Sequence, residues 1–454
     1  MKRFCFGVVV CGIAGVFLFA SHMRSAQADG RAPAAPTAAP GGTGNPSVFT
    51  DFHGEAPGTV HHITAADLPA PYDTKSSANP GRVVAQPDGA WPQAPAGFKV
   101  ERYAEKLEGP RLIQRAPNGD LFVAECNPGK IVVFRGMTAD GKYEKMDEFA
   151  SGLILPFGLA FYPLGPNPQY LYVGDTDQIV RFPYKNGDMK ATGSFEVVVP
   201  NIPAGAQLGQ TPKPGTGGHF TRNVVFSLDG KKLFIAVGSR TNVADVDMDQ
   251  TEHNRADVLV ANPDGSDLHV YASGIRNPVG LTIAPRTGEV WVSVNERDEL
   301  GDNLPPDYIT HVQEGGFYGW PWYYTGGNQD PRFPGKHPEL KDKVIVPDVL
   351  MEPHDASLQL AFYEAKQFPK EYQDQIFAAE HGSWNRSVRT GYEVVFVPTK
   401  NEHALGAYKD FLTGFVTDKG DVWGRPVGVA VATDGSLMVT DDGSNSIWRV
   451  TYGK

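Results

Sequence analysis

Six times along the chain one short β-rich phrase returns: an apolar strand, a turn often built on Asp-Gly or Asn-Gly, and a second strand of the Leu-aromatic-Val type. The second strands begin at Leu121 (LFVAE), Leu171 (LYVGD), Leu233 (LFIAV), Val290 (VWVSV), Ile376 (IFAAE) and Leu437 (LMVTD). Further strands such as 130–134, 178–182 and 447–451 close the units. Long helical periodicity is nearly absent. One such unit cannot bury both of its faces, so stacking the units side by side in a ring is the natural solution, and a ring protects most sheet edges. The expectation is an all-β, six-bladed β-propeller. Two sandwiches of about seven strands each are the competing architecture, and the single shared phrase argues for the ring.

The first residues read as an export signal: Lys2 and Arg3, a nearly uncharged apolar run over 4–20, and Ala26-Gln27-Ala28 for cleavage. The apolar run is short for a membrane span and has a cleavage site behind it, so removal of 1–28 and a periplasmic or secreted protein are expected. No membrane span is expected to remain in the mature protein. Residues 29–94 read as a Pro/Ala/Gly-rich lead-in, in part disordered, with Ala32-Pro33-Ala34-Ala35-Pro36 the clearest stretch. The propeller is assigned to 95–454. Of the three cysteines only Cys126 lies outside the signal, so no internal disulfide and no cysteine-based metal or haem site is expected. Loss of Lys2, Arg3 and Arg24 takes the net charge from −11 to −14, which argues against nucleic acid as a partner.

The repeat also locates a site. In a propeller the first strand of each unit lines the channel, so first-strand starts and second-strand ends meet on one face. Polar residues gather at those two phases: His219, Arg222, Asn223, Arg276, Asn277 and Arg425 at starts, and Glu296, Glu380, His381, Asp441 and Asp442 at ends. Such a mouth suits an anionic, metal-assisted ligand. His219, behind a glycine-rich segment over 214–218, is a candidate general base. Arg276, Arg386 and Arg425 approach the channel from different units, and several inward guanidiniums imply a polycarboxylate ligand. The loop 295–303 (NERDELGDN) is rich in oxygen donors and reads equally as a hard-cation site or a solvated charged loop. The acidic run 245–249 lacks the glycine and glutamate of an EF-hand and reads as a solvated loop. The aromatics in 315–324 (GGFYGWPWYY) read mainly as a tight β corner. His381 stands near the same mouth and reads equally as a site residue or as the partner in a structural hydrogen bond.

Five phrases, GGHFTRNVVFSLDGKKLFIAVGS (217–239), NPDGSDLHVYASGIRNPVGL (262–281), GGFYGWP (315–321), AAEHGSWNRSVRTGY (378–392) and GRPVGVAVATDGSLMVTDD (424–442), together resemble the glucose/sorbosone dehydrogenase family. That resemblance implies a six-bladed quinoprotein sugar dehydrogenase using pyrroloquinoline quinone (PQQ) and calcium. It implies His219 as the base, Arg276 and Asn277 over the cofactor, Arg425 on a cofactor carboxylate, Arg386 near a further cofactor-binding position, and the backbone carbonyls of Glu296 and Arg297 as calcium ligands. Electrons would leave to an external acceptor, a cytochrome or quinone. The loop 152–158 lacks a substrate glutamine found in some soluble glucose dehydrogenases, and Glu296-Arg297 replaces Gly-Pro, so the phrases lie nearer the sorbosone and aldose branch. A calcium-dependent lactonase and a non-catalytic carbohydrate-binding propeller are the competing readings.

Overall fold

The computed structural model describes residues 48–204 and 218–453. The expected signal, the start of the lead-in and most of the glycine-rich segment before His219 lie outside the described residues. Six four-stranded antiparallel units follow one another, each ordered from inside to outside. Their innermost strands are Pro110–Arg115, Leu159–Tyr162, Arg222–Phe226, Pro278–Ile283, Ser357–Phe362 and Pro426–Val431. Each innermost strand neighbours the next, and the sixth neighbours the first, so the ring is closed. The chain is a six-bladed β-propeller.

The ring is closed by the N-terminal strand Phe98–Ala104, which supplies the outermost strand of blade 6 by pairing with Ser446–Tyr452. This welds the two ends of the propeller sequence into one sheet and leaves no blade built solely from the C-terminus. The repeated Pro-Val-Gly of blades 4 and 6 has a packing cause. A Cβ on Gly280 would stand 2.2 Å from the Leu358 carbonyl oxygen, and one on Gly428 would stand 2.5 Å from that of Arg111. Only glycine allows neighbouring inner strands to approach so closely. Between blades the packing is apolar and heavily aromatic; Phe122, for example, meets Phe149, Phe161 and Tyr184 edge-on.

The lead-in from residue 48 onward is ordered against blades 4 to 6. Val60–His61 adds a fifth strand to blade 5 beside Tyr408–Leu412, and isolated bridges join Ile63 to Leu350, Val83 to Val422 and Gln93 to Thr413. No helix among the described residues is long and apolar enough to cross a membrane. Cys126 is buried, its thiol donates to the Pro156 carbonyl at 2.7 Å, and burial pushes its pKa up to about 12.

Candidate active site

A cleft of about 330 Å³ opens where blades 3, 4 and 5 meet, lined by His219, Arg240, Asn242, Arg276, Asn277, Asn295, Glu296, Asp298, Asp307, His354 and Trp384. All come from first-strand starts, second-strand ends or the loops that follow them, which is the face selected by the repeat. A second hollow of about 580 Å³ on the same face, lined by Arg111, Cys126, Phe220, Arg425 and Asp442, lies at blades 1 and 6.

His219 is held by the continuation of the blade 3 ladder. Its backbone N–H donates to the Ser239 carbonyl at 3.0 Å, and its Nδ1 lies 2.8 Å from the same oxygen. A carbonyl only accepts, so Nδ1 carries the proton and Nε2 is the free lone pair. Arg255 donates to the carbonyls of His219, Ser239 and Gly238 at 2.8, 3.0 and 2.9 Å, fixing this turn from behind. Burial first, then the neighbouring Arg276 charge, drives the His219 pKa down to about 3. The imidazole is therefore neutral at any ordinary pH.

Arg276 does not point free guanidinium hydrogens into the cleft. Its Nη1 donates to the Glu296 carbonyl at 2.6 Å, Nη2 to Asn242 Oδ1 and Asp298 Oδ2 at 3.1 Å each, and Nε to the Asn242 carbonyl at 3.2 Å. Asn242 completes the bracket by accepting from the Asp298 N–H at 2.7 Å and from Trp320 Nε1, through its carbonyl, at 3.0 Å. Burial opposes ionisation of Asp298, but Arg276 and His354 more than offset it and hold its pKa below the usual range. Trp320 thus backs the site from the glycine-aromatic corner, while Tyr318 in the same corner bonds the His311 carbonyl at 2.8 Å within the blade.

Asn277 donates to Asn295 Oδ1 at 3.1 Å, and its own Oδ1 is buried without a partner. The Glu296 carbonyl is occupied by Arg276, and the Glu296 carboxyl, accepting from the Arg297 N–H at 3.0 Å, is pushed up to about 7, chiefly by burial. The Arg297 side chain turns away to within 3.4 Å of Asp330. Asp307 accepts from the Glu296 and Ala356 N–H groups at 2.7 Å each, tying the oxygen-rich loop to the entry of blade 5; burial raises it to about 6.

The structure thus brings His219, Arg276, Asn277 and Glu296 together. It sets two of the other arginines apart. Arg386 is buried in an ion pair with Glu352 at 3.0 Å and bonds Asn303 at 2.9 Å, outside the cleft lining. Arg425 pairs with Asp442 at 2.9 Å in the second hollow. Asp442 also takes His381 at 3.0 Å and Arg111 at 2.7 Å. His381 is therefore a partner of Asp442, and burial leads in lowering its pKa. The acidic run 245–249 ties back to the corner loop through Lys336 to Asp245 at 3.0 Å and His337 to Asp247 at 2.8 Å.

Asp298 lies in the oxygen-rich loop 295–303 that the sequence marks, whereas Asn242, Asp307, His354 and Trp384 carry no site assignment from the sequence. His354 had a readable signal: it stands three residues before the innermost strand Ser357–Phe362, as His219 does before Arg222–Phe226. Asn242 and Asp307 lie outside the two phases that the repeat marks.

The glucose/sorbosone dehydrogenase model matches residues 206–385, which carry most of this cleft, and a TrAA12-like model matches 337–453. The chain belongs to the glucose/sorbosone dehydrogenase family. An uncharacterised protein of Borreliella burgdorferi is 32% identical over 368 residues, 80% of this chain and 91% of that one. The aldose sugar dehydrogenase of Escherichia coli is 32% identical over 184 residues, 37% of this chain and 46% of that protein. The match thus spans less than half of the Escherichia coli protein. Among solved structures, the holo PQQ domain of Coprinopsis cinerea pyranose dehydrogenase superposes with a TM-score of 0.65 at 22% identity, covering 81% of this chain and 98% of that domain. That likeness is one of fold.

Proposed function

We propose that this family member is an exported quinoprotein that oxidises an aldose or a sugar-derived aldehyde, with PQQ and calcium held in the His219 cleft and electrons passed to a separate cytochrome or quinone. The observation that carries the reading is the His219 tautomer: Nδ1 is committed to the Ser239 carbonyl, so a neutral Nε2 is available as a base.

The residues present suit a polar, anionic ligand that arrives with a cation. Asn277 offers a buried carbonyl oxygen without a partner, and Glu296, Asp298 and Asp307 supply carboxylate oxygens around the cleft. With the Glu296 carbonyl bonded to Arg276, the Glu296 carboxylate is the better calcium donor of this residue, and Arg297 contributes through its backbone. When bound, PQQ supplies a two-electron acceptor for the hydride of the substrate carbon. His219 takes the hydroxyl proton at Nε2, Arg276 and Asn277 face the cofactor, and the bracket of Asn242 and Asp298 keeps Arg276 in place. Trp384, 47% exposed at the rim, offers an apolar face to a sugar ring. Arg425 and Arg111, paired with Asp442, line the separate hollow at blades 1 and 6.

The names of the similar proteins support the substrate class: an aldose sugar dehydrogenase, and a pyranose dehydrogenase with PQQ. The test is reconstitution with PQQ and calcium followed by a panel of aldoses and an artificial electron acceptor dye. Dye reduction dependent on sugar, quinone and calcium is expected. No turnover with any aldose or sugar aldehyde in the loaded protein would reject the reading.

A further inference from the structure

His219 stands on a segment that the sheet does not serve. The innermost strand of blade 3 begins at Arg222, so the carbonyls of His219, Phe220 and Thr221 lie outside its ladder. Side chains take them instead. Phe220 accepts from Thr176 Oγ1 at 3.3 Å, and Arg222 turns its own side chain back to serve the other two, with Nη1 at 2.7 Å from the Thr221 oxygen and 3.1 Å from that of His219. Its Nη2 donates to the Pro203 carbonyl at 2.6 Å and so joins the chain at 203 to the chain at 219. The backbone of Arg222 is fixed as firmly. Its carbonyl accepts from the Gly158 N–H of blade 2 at 2.9 Å, and a Cβ on Gly174 would collide with the same oxygen, so glycine there lets blade 3 dock on blade 2.

A guanidinium is a costly group to bury for this purpose. Arg222 is fully buried, its three side-chain bonds all run to carbonyls, and its Nε is buried without a partner. A second guanidinium, that of Arg255, reaches the same His219 oxygen at 2.8 Å, so two cations converge on one carbonyl. Burial first and Arg255 second lower the Arg222 pKa well below its usual value, with Asp177 opposing. An aliphatic side chain would fill this space without the desolvation cost, so the charge is there for what it binds. What it binds is the backbone that carries the imidazole. A neutral imidazole has two tautomers, and Nε2 is the free lone pair only while Nδ1 meets the Ser239 carbonyl, here at 2.8 Å.

We propose that Arg222 is a positioning residue of the oxidation, clamping the His219, Thr221 and Pro203 carbonyls so that the imidazole keeps the one orientation and tautomer that present Nε2 to the cleft. A fixed fork of N–H donors spans three carbonyls at once, whereas lysine offers a single ammonium centre. The inference rests on His219 being the base, and its test separates the two.

The experiment compares the full mature chain with Arg222→Lys and Arg222→Met, all with histidine labelled in nitrogen-15. Without quinone, the ring nitrogens of His219, identified by their loss in His219→Ala, report the tautomer. Wild type is expected to show the single Nδ1–H form, and both variants a mixture of the two. After loading with PQQ and calcium, kcat for dye reduction should fall by about 10²-fold in Arg222→Met and by less in Arg222→Lys, with KM and quinone affinity near wild type. A single wild-type tautomer with wild-type kcat in both variants would overturn the proposal, as would kcat, KM and quinone affinity worsening together, the mark of a face that has merely loosened. Should Arg222→Met not fold, Arg222→Lys decides on the same readings. A wild type that turns over no sugar, with a His219 tautomer that still depends on Arg222, would reject the oxidation and uphold the clamp.

Discussion

The acids around His219 and the acids of blade 5 are buried alike and treated oppositely. In the cleft each carboxylate has work assigned: Asp298 holds Arg276 at 3.1 Å, and Asp307 accepts two backbone N–H groups at 2.7 Å. In blade 5 both oxygens of Asp355 have no partner. Partnered acids spend their charge on positioning neighbours, whereas burial drives unpartnered ones toward the neutral, protonated form. The contrast separates acids that hold charged or polar neighbours from acids that burial and one another keep protonated.

The comparison breaks most sharply at His219. With Nδ1 bonded to Ser239, only Nε2 can serve as base, so His219→Ala should lower turnover by about 10²–10⁴-fold while leaving quinone affinity nearly intact. Steady-state dye reduction beside a quinone titration checks this. Next in size is the Arg276 bracket. Asp298→Asn removes one partner of a buried pair and should cost about 3 kcal/mol of stability by denaturant unfolding, with poorer quinone binding as Arg276 loosens.

The Glu296 carboxyl sharpens the pH dependence. Its folded value of about 7 lies above the ordinary 4.5, so the folded state binds more protons between these values and its share of stability falls as pH rises through that window. The loss is at most about 3 kcal/mol. Glu296→Gln should flatten it, as should bound calcium, which favours the ionised carboxylate. His219, at about 3, should contribute no change in activity above about pH 4. Smallest is Trp384→Ala. This rim side chain, 47% exposed, should change stability by under about 0.5 kcal/mol and raise KM several-fold with kcat little altered.

The ring was legible because each blade repeats one phrase, and the phrase carries its own strand signals. The glycine of Pro-Val-Gly marks inner strands that nearly touch, so its recurrence at Gly280 and Gly428 reports the channel directly. The cleft was legible where phase predicts position, as for His219, Arg276 and Asn277. It was hidden where a loop decides. Nothing in the spacing of Asn242 shows that it brackets Arg276, because that contact joins the loop after one blade's second strand to the start of the next blade. Arg386 shows the converse. Its place in the sequence suggested the mouth, but Glu352, fixed by the lead-in residue Thr50 at 2.7 Å, draws it into a buried pair. The ordering of the lead-in from residue 48 was equally invisible, since its composition is that of a linker and only blade 5 gives its strand a partner.

The account rests on a base that acts on substrate and not on the cofactor, and one titration isolates it. PQQ is added to wild type and to His219→Ala, with and without calcium, while the quinone absorbance is followed, and sugar is then added to both. The account predicts stoichiometric, calcium-dependent binding to both proteins and reduction of the quinone by sugar in wild type alone. Binding to neither protein under any metal condition, or equal reduction in both, would contradict it.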